Sequence, residues 1–169
     1  ITTSGETSSN DASSFYGLNA AVLATSGSTV TINGGSITTS GSGANGAFPT
    51  GTGSTIVLNG VTITATGGGG HGVMATNGGI LELTNVDIET TGANGAPLAT
   101  DRGSGTVTAT GGTVLASGRD SPGIYSTGVI TVSDATVTAT GAEAAVIEGF
   151  NSITLHNTSL TGGTTQQSQ

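Results

Sequence analysis

Residues 30–41 read VTINGGSITTSG, and residues 56–67 read IVLNGVTITATG. Both stretches carry alternating apolar residues, a turn at Asn-Gly, an isoleucine between hydroxyl side chains and a closing glycine. The block recurs along the chain. Its first apolar position is Val30, Ile56, Leu81, Val107, Ile130 and Ile153, in steps of 26, 25, 26, 23 and 23 residues. The apolar position after the turn is Ile37, Ile63, Ile88, Val114, Val137 and Leu160, with identical steps. Length differences between repeats therefore fall outside the block, in the segment that precedes it.

Apolar side chains alternate with period two within each half of the block, which predicts two strands buried on one face. Between them stand Gly34, Gly60, Asn85, Gly111, Asp134 and Asn157. These residue types tolerate a left-handed backbone at least cost, so one fixed turn conformation accounts for the whole column. Gly41, Gly67, Gly92, Gly118 and Gly141 close the second strand. A third, shorter strand is predicted within 20–25, 46–50, 72–76, 96–100, 123–127 and 145–149. Three short strands in roughly 25 residues cannot bury their own apolar face, so each unit must stack on its neighbours. The fold class that follows is all-β, a parallel β-helix with three short strands per coil.

The stretch GVMATNGGILELTNVDIETTG (72–92) and its relatives along the chain resemble the right-handed parallel β-helices of bacterial cell-surface proteins, of the adhesin-like and autotransporter-passenger type. The resemblance implies an extracellular or cell-surface location, a non-enzymatic scaffold, and partners that are surface glycans or proteins. A right-handed coil also agrees with the crossover preference of parallel strands.

Composition narrows the possibilities further. A hydrophobic share of 33% with 3% aromatic residues calls for a narrow interior filled by Val, Ile, Leu and Ala. Thirty-one glycines against three prolines indicate many turns, and a charged fraction of 7% argues against a charge-rich disordered chain. The net charge is −8, and Arg102 and Arg119 are the only strongly basic residues. No cationic footprint for nucleic acid can be built from them. No apolar run is long enough for a helical membrane span, so no membrane insertion is expected. The absence of cysteine fits a surface protein.

Side chains that could carry chemistry are few. Ser36, Thr62, Asp87, Thr113, Thr136 and Ser159 form one predicted outward row, and Thr38, Thr64, Glu89, Leu115, Thr138 and Thr161 form its neighbour. Threonine is a good strand former and keeps a sheet soluble, which is the simplest reading of these rows. The same hydroxyl ladder resembles the ice-binding face of some β-solenoid antifreeze proteins and could also bind sugars, although Asp87, Glu89 and Leu115 interrupt it. Glu82, Asp87 and Glu89 are too dispersed for a calcium cage, and His71 and His156 lack metal-ligand spacing, so no metal or other cofactor is expected. Asp101 and Arg102, in TDRG (100–103), together with Glu148 form the most chemical-looking group. Aligned on the third strand, Glu148 takes a position held by Ala24, Pro49, Ala75, Ala99 and Ser126. A structural ion pair with Arg102 is expected there. No catalytic residues are assigned, and a polysaccharide lyase or hydrolase is the remote alternative.

The whole chain, 1–169, reads as one β-helix domain with a surface loop at 6–15. ITTSG at 1–5 matches ITTSG at 37–41, so the chain opens on the second strand of a coil and reads as a segment of a longer solenoid. Its parallel edges lead to the expectation that copies associate end to end into filaments.

Overall fold

The computed structural model describes residues 1–7 and 9–163, and the chain winds into a parallel β-solenoid with three sheets running along its axis. A long-strand sheet stacks Thr29–Asn33, Thr55–Asn59, Ile80–Thr84, Thr106–Thr110, Val129–Ser133 and Ser152–His156. A threonine sheet stacks Thr2–Thr3, Ser36–Thr39, Thr62–Ala65, Asp87–Thr90, Thr113–Ala116, Thr136–Ala139 and Ser159–Thr161. A short-strand sheet stacks Val22–Ala24, Ala47–Pro49, Val73–Thr76, Leu98–Asp101, Ile124–Ser126 and Ala145–Ile147. The columns predicted from the repeat are the observed register: Val30 pairs Ile56, which pairs Leu81, then Val107, Ile130 and Ile153.

Inward residues of all three sheets meet in one narrow core that includes Ile37, Ile56, Leu58, Ile63, Leu81, Leu98, Ile124 and Ile130, each fully buried. The long-strand and threonine sheets are buried on this face only. The central coils of the short-strand sheet are buried on both, and the reason is a helix over Asn10–Tyr16. This helix corrects the expectation of a surface loop over 6–15. Its signals are local: the Ser9 hydroxyl accepts a hydrogen bond from the Ala12 N–H at 3.2 Å, and Gly17 terminates it at φ 72. Phe15 and Ala20 then pack over the outward Phe48, Met74 and Ala99, forming a second small apolar cluster outside the solenoid.

The turn column is left-handed throughout, with φ from 46 at Asn157 to 71 at Gly34. The closing glycines have a different cause. A Cβ built on Gly67, Gly92 or Gly118 would strike the carbonyl oxygen of Gly41, Gly67 or Gly92, its counterpart one coil below. None of these three has a positive φ. They are small because coils approach too closely at that corner for any side chain.

Two positions of the third strand differ from the predicted column. Thr100 pairs with Ala75 and Ser126, and Asp101 pairs with Thr76. The inward row is therefore Ala24, Pro49, Ala75, Thr100, Ser126 and Ile147. Ala99 belongs to the outward row, and Glu148 lies one residue beyond Ile147. The register slipped because turns differ in length between coils, 102–105 against 77–79 for Ala99 and 148–151 against 127–128 for Glu148, differences that the strand pattern absorbs silently.

These two kinds of glycine separate experimentally. Gly118→Ala should destabilise by about 3 kcal/mol or more, since backbone must move to admit the methyl group. Gly34→Ala, whose added Cβ meets nothing within 4 Å, should lose only about 1 kcal/mol through its left-handed backbone. Urea midpoints of the two variants give the comparison, and equal losses would remove the close-approach explanation.

Candidate functional site

Between the closing glycine and the short strand, each coil turns a corner. Gly43, Gly69, Asn94 and Asp120 stack at one position of that corner, each in the left-handed region and each donating its N–H to the coil above. Asn45, His71, Ala96 and Pro122 stack two residues further on. The helix lies against the first coils of this corner. A Cβ on Gly43 would run into Asn10, Ser13 and Ser14, so the helix requires glycine there. Further along the axis the helix no longer covers the corner, and the same positions carry side chains.

What opens is a cavity of about 390 Å³. Phe15 and Ser14 of the helix, His71, Ala96 and Pro122 of the corner, and Tyr125 and Val146 on the outward face of the short-strand sheet contribute to its walls. Asp101, Asp120 and Glu143 supply carboxylates. Both arginines lie beside these carboxylates, outside the cavity lining. Arg102 lies over the Phe15 ring, 4.4 Å from the centroid, and approaches Asp101 at 4.0 Å. Arg119 pairs with Asp120.

The buried Asn45 amide organises the inner end. Its NH2 group donates to the Ser13 and Ser14 carbonyls of the helix at 3.1 and 3.0 Å. Those contacts fix the amide orientation, so its oxygen faces His71 and accepts from the His71 backbone N–H at 2.9 Å. The His71 Nδ1 lies 3.0 Å from that same oxygen and must therefore be the protonated nitrogen. Nε2 is left as a lone-pair acceptor, with no hydrogen bond to any described residue, in a side chain that is 6% exposed and lines the cavity. Burial holds the His71 pKa down to about 4.

Tyr125 is displaced in the other direction, up to about 12, by burial first, then by the charges of Asp101 and Glu148 and a hydrogen bond to Glu148, with Arg102 opposing. The expected ion pair between Arg102 and Glu148 is absent among the described residues, because Glu148 sits one position past the row to which sequence alignment assigned it and Arg102 meets Asp101 instead.

The threonine rows are in register as predicted: Ser36 pairs Thr62, Thr62 pairs Asp87, and Thr113 pairs Thr136, which pairs Ser159. Thr38, Thr64, Glu89, Leu115, Thr138 and Thr161 form the second row. Asp87 accepts from the Thr113 hydroxyl at 2.7 Å, and a hollow of about 170 Å³ lies between the rows at Asp87, Glu89 and Leu115. The face is therefore not a continuous flat hydroxyl array. No group of His, Cys, Asp or Glu suited to a metal ion occurs among the described residues.

Sequence reasoning found Asp101, Arg102 and Glu148 but not the cavity, nor His71, Asp120, Tyr125 and Glu143 within it. A signal was available in the corners GSGANG, GGGGHG, GANGAP and GRDSPG, which begin at the closing glycines 41, 67, 92 and 118. Comparison with known protein families, with curated proteins and with solved structures gives no match to this chain.

A pH dependence follows from His71. The unfolded histidine protonates near 6.5 and the folded one near 4, so its contribution is complete above 6.5 and is lost as the pH falls through 4. The loss amounts to about 3 kcal/mol. Urea denaturation of the wild type against His71→Gln across that range should show the wild type falling more steeply as acid is added, and parallel curves would contradict the assignment.

Proposed function

We propose that this chain is a non-enzymatic, extracellular β-solenoid of the adhesin-like kind, a rigid rod that holds a partner surface through the cavity beside the helix. The resemblance of its repeats to bacterial surface β-helices supports the location and the scaffold role. The cavity carries the binding role, because it combines apolar walls with a few convergent polar groups on an otherwise plain rod.

The titratable groups favour binding over catalysis. A general base works best with a pKa near the operating pH, and His71 at about 4 is a weak base at neutrality. Tyr125 at about 12 remains a neutral phenol there. Both are held in one protonation state, which suits a fixed recognition surface. An immobilised glycan array should retain the chain without releasing soluble fragments. Val146→Trp, which fills the cavity from the outward face, should abolish retention; fragment release, or retention unaffected by the variant, would defeat the reading.

The rod is also suited to stacking. In the coil formed by 145–161, Ile147, Leu155 and Leu160 are between 37% and 47% exposed, whereas the inward Val132 and Val137 paired with the latter two are fully buried. Another solenoid coil laid on this edge would cover them and continue the backbone ladders. Light scattering over a salt series should show association growing as the charge of −8 is screened. A monomer at every salt and protein concentration would rule out end-to-end stacking.

A further inference from the structure

The cavity also indicates what it would hold, an inference that rests on the binding role proposed above. Some of its donor hydrogens are committed. The Ser14 hydroxyl donates to the Gly69 carbonyl at 2.7 Å and the His71 Nδ1–H to Asn45. Apart from the Asn10 and Asn94 amides and the Tyr125 hydroxyl, the polar groups of the lining residues are acceptors: the unpartnered His71 Nε2 and the carboxylates of Asp101, Asp120 and Glu143. Acceptors predominate, which favours a ligand that brings N–H donors.

Charge narrows the choice between a neutral polyol and a cation. Four carboxylates at or beside the cavity, those of Asp101, Asp120, Glu143 and Glu148, face two guanidinium groups, those of Arg102 and Arg119. The two arginines meet Asp101 and Asp120. Glu143 has no cationic partner among the described residues. An uncompensated carboxylate at the rim of a partly enclosed space, together with the unpartnered Nε2 of the buried His71 in its wall, is complementary to one positive charge carried on N–H donors. Phe15, Ala96, Pro122 and Val146 then offer apolar contact to whatever body carries that charge.

We propose that the cavity binds a primary ammonium group, donated to His71 Nε2 and balanced by Glu143, on a ligand compact enough to enter between the helix and the short-strand sheet. An amino sugar and a lysine side chain both present this chemistry.

Calorimetric titration of the full chain with glucosamine, glucose and Nα-acetyl-lysine amide tests the proposal. Glucosamine or the lysine derivative should bind about tenfold more tightly than glucose, and added salt should weaken that binding. The stronger of the two identifies the source of the ammonium. Glu143→Gln lies on the exposed rim and keeps the shape of the side chain; it should remove the preference over glucose, while Glu82→Gln on the long-strand sheet should leave it intact. Thermal melts verify that each variant is folded. Glucose binding as tightly as glucosamine, with both lost on Val146→Trp, would overturn the ammonium assignment and leave the cavity as a binding site. An ammonium preference that survives Glu143→Gln would overturn the assigned geometry, and no binding of any probe would overturn the ammonium proposal outright.

Discussion

Backbone hydrogen bonds between successive coils fix the rise of the solenoid at about 4.8 Å, and every other feature has to fit within that spacing. A residue on one coil sits directly above its counterpart on the next, so each column must be filled by side chains that tolerate near-identical neighbours at that distance. Apolar columns such as Ile37, Ile63, Ile88 and Val114 satisfy the constraint by burying one another. The corner column of Gly41, Gly67, Gly92 and Gly118 satisfies it by having no side chain at all. The left-handed column satisfies it with Gly, Asn and Asp, whose backbones all reach positive φ at modest cost.

Freedom exists only where a column faces outward. On the threonine sheet that freedom is used for hydroxyls, with Asp87, Glu89 and Leu115 as exceptions. On the short-strand sheet it is used for bulk: Phe48, Met74 and Tyr125 are large side chains on an outer face, and they require a cover. The helix over 10–16 provides that cover for the first coils and ends where the corner positions change from Gly43 and Gly69 to Asn94 and Asp120. The cavity is the space left beyond the helix, which is why it has apolar walls and a charged rim.

Asn45 joins the two parts. A single buried amide anchors the helix through its NH2 group and orients His71 through its oxygen. Docking of the helix and the direction of the free imidazole lone pair are thus consequences of one hydrogen-bond network, and such networks are costly to satisfy by halves. The helix closes one end of the cavity and also settles which nitrogen of His71 a ligand would meet.

Periodicity in the sequence determined the coil, its three strands, the turn column and the in-register threonine rows, because each is a local pattern repeated at a spacing that stacking then enforces. Asp101, Arg102 and Glu148 were also legible, as residues that break the pattern. Their contacts were not. Where Glu148 falls relative to Arg102 depends on how many residues the turn 148–151 holds relative to 127–128 one coil below, and strand patterns do not record such differences in turn length. The cavity was illegible for a related reason: His71, Asp120, Tyr125 and Glu143 are far apart in sequence and meet only because the coil brings successive corners side by side. The helix that walls them comes from a segment outside the repeat, and its placement is decided by which corner glycines leave room for it.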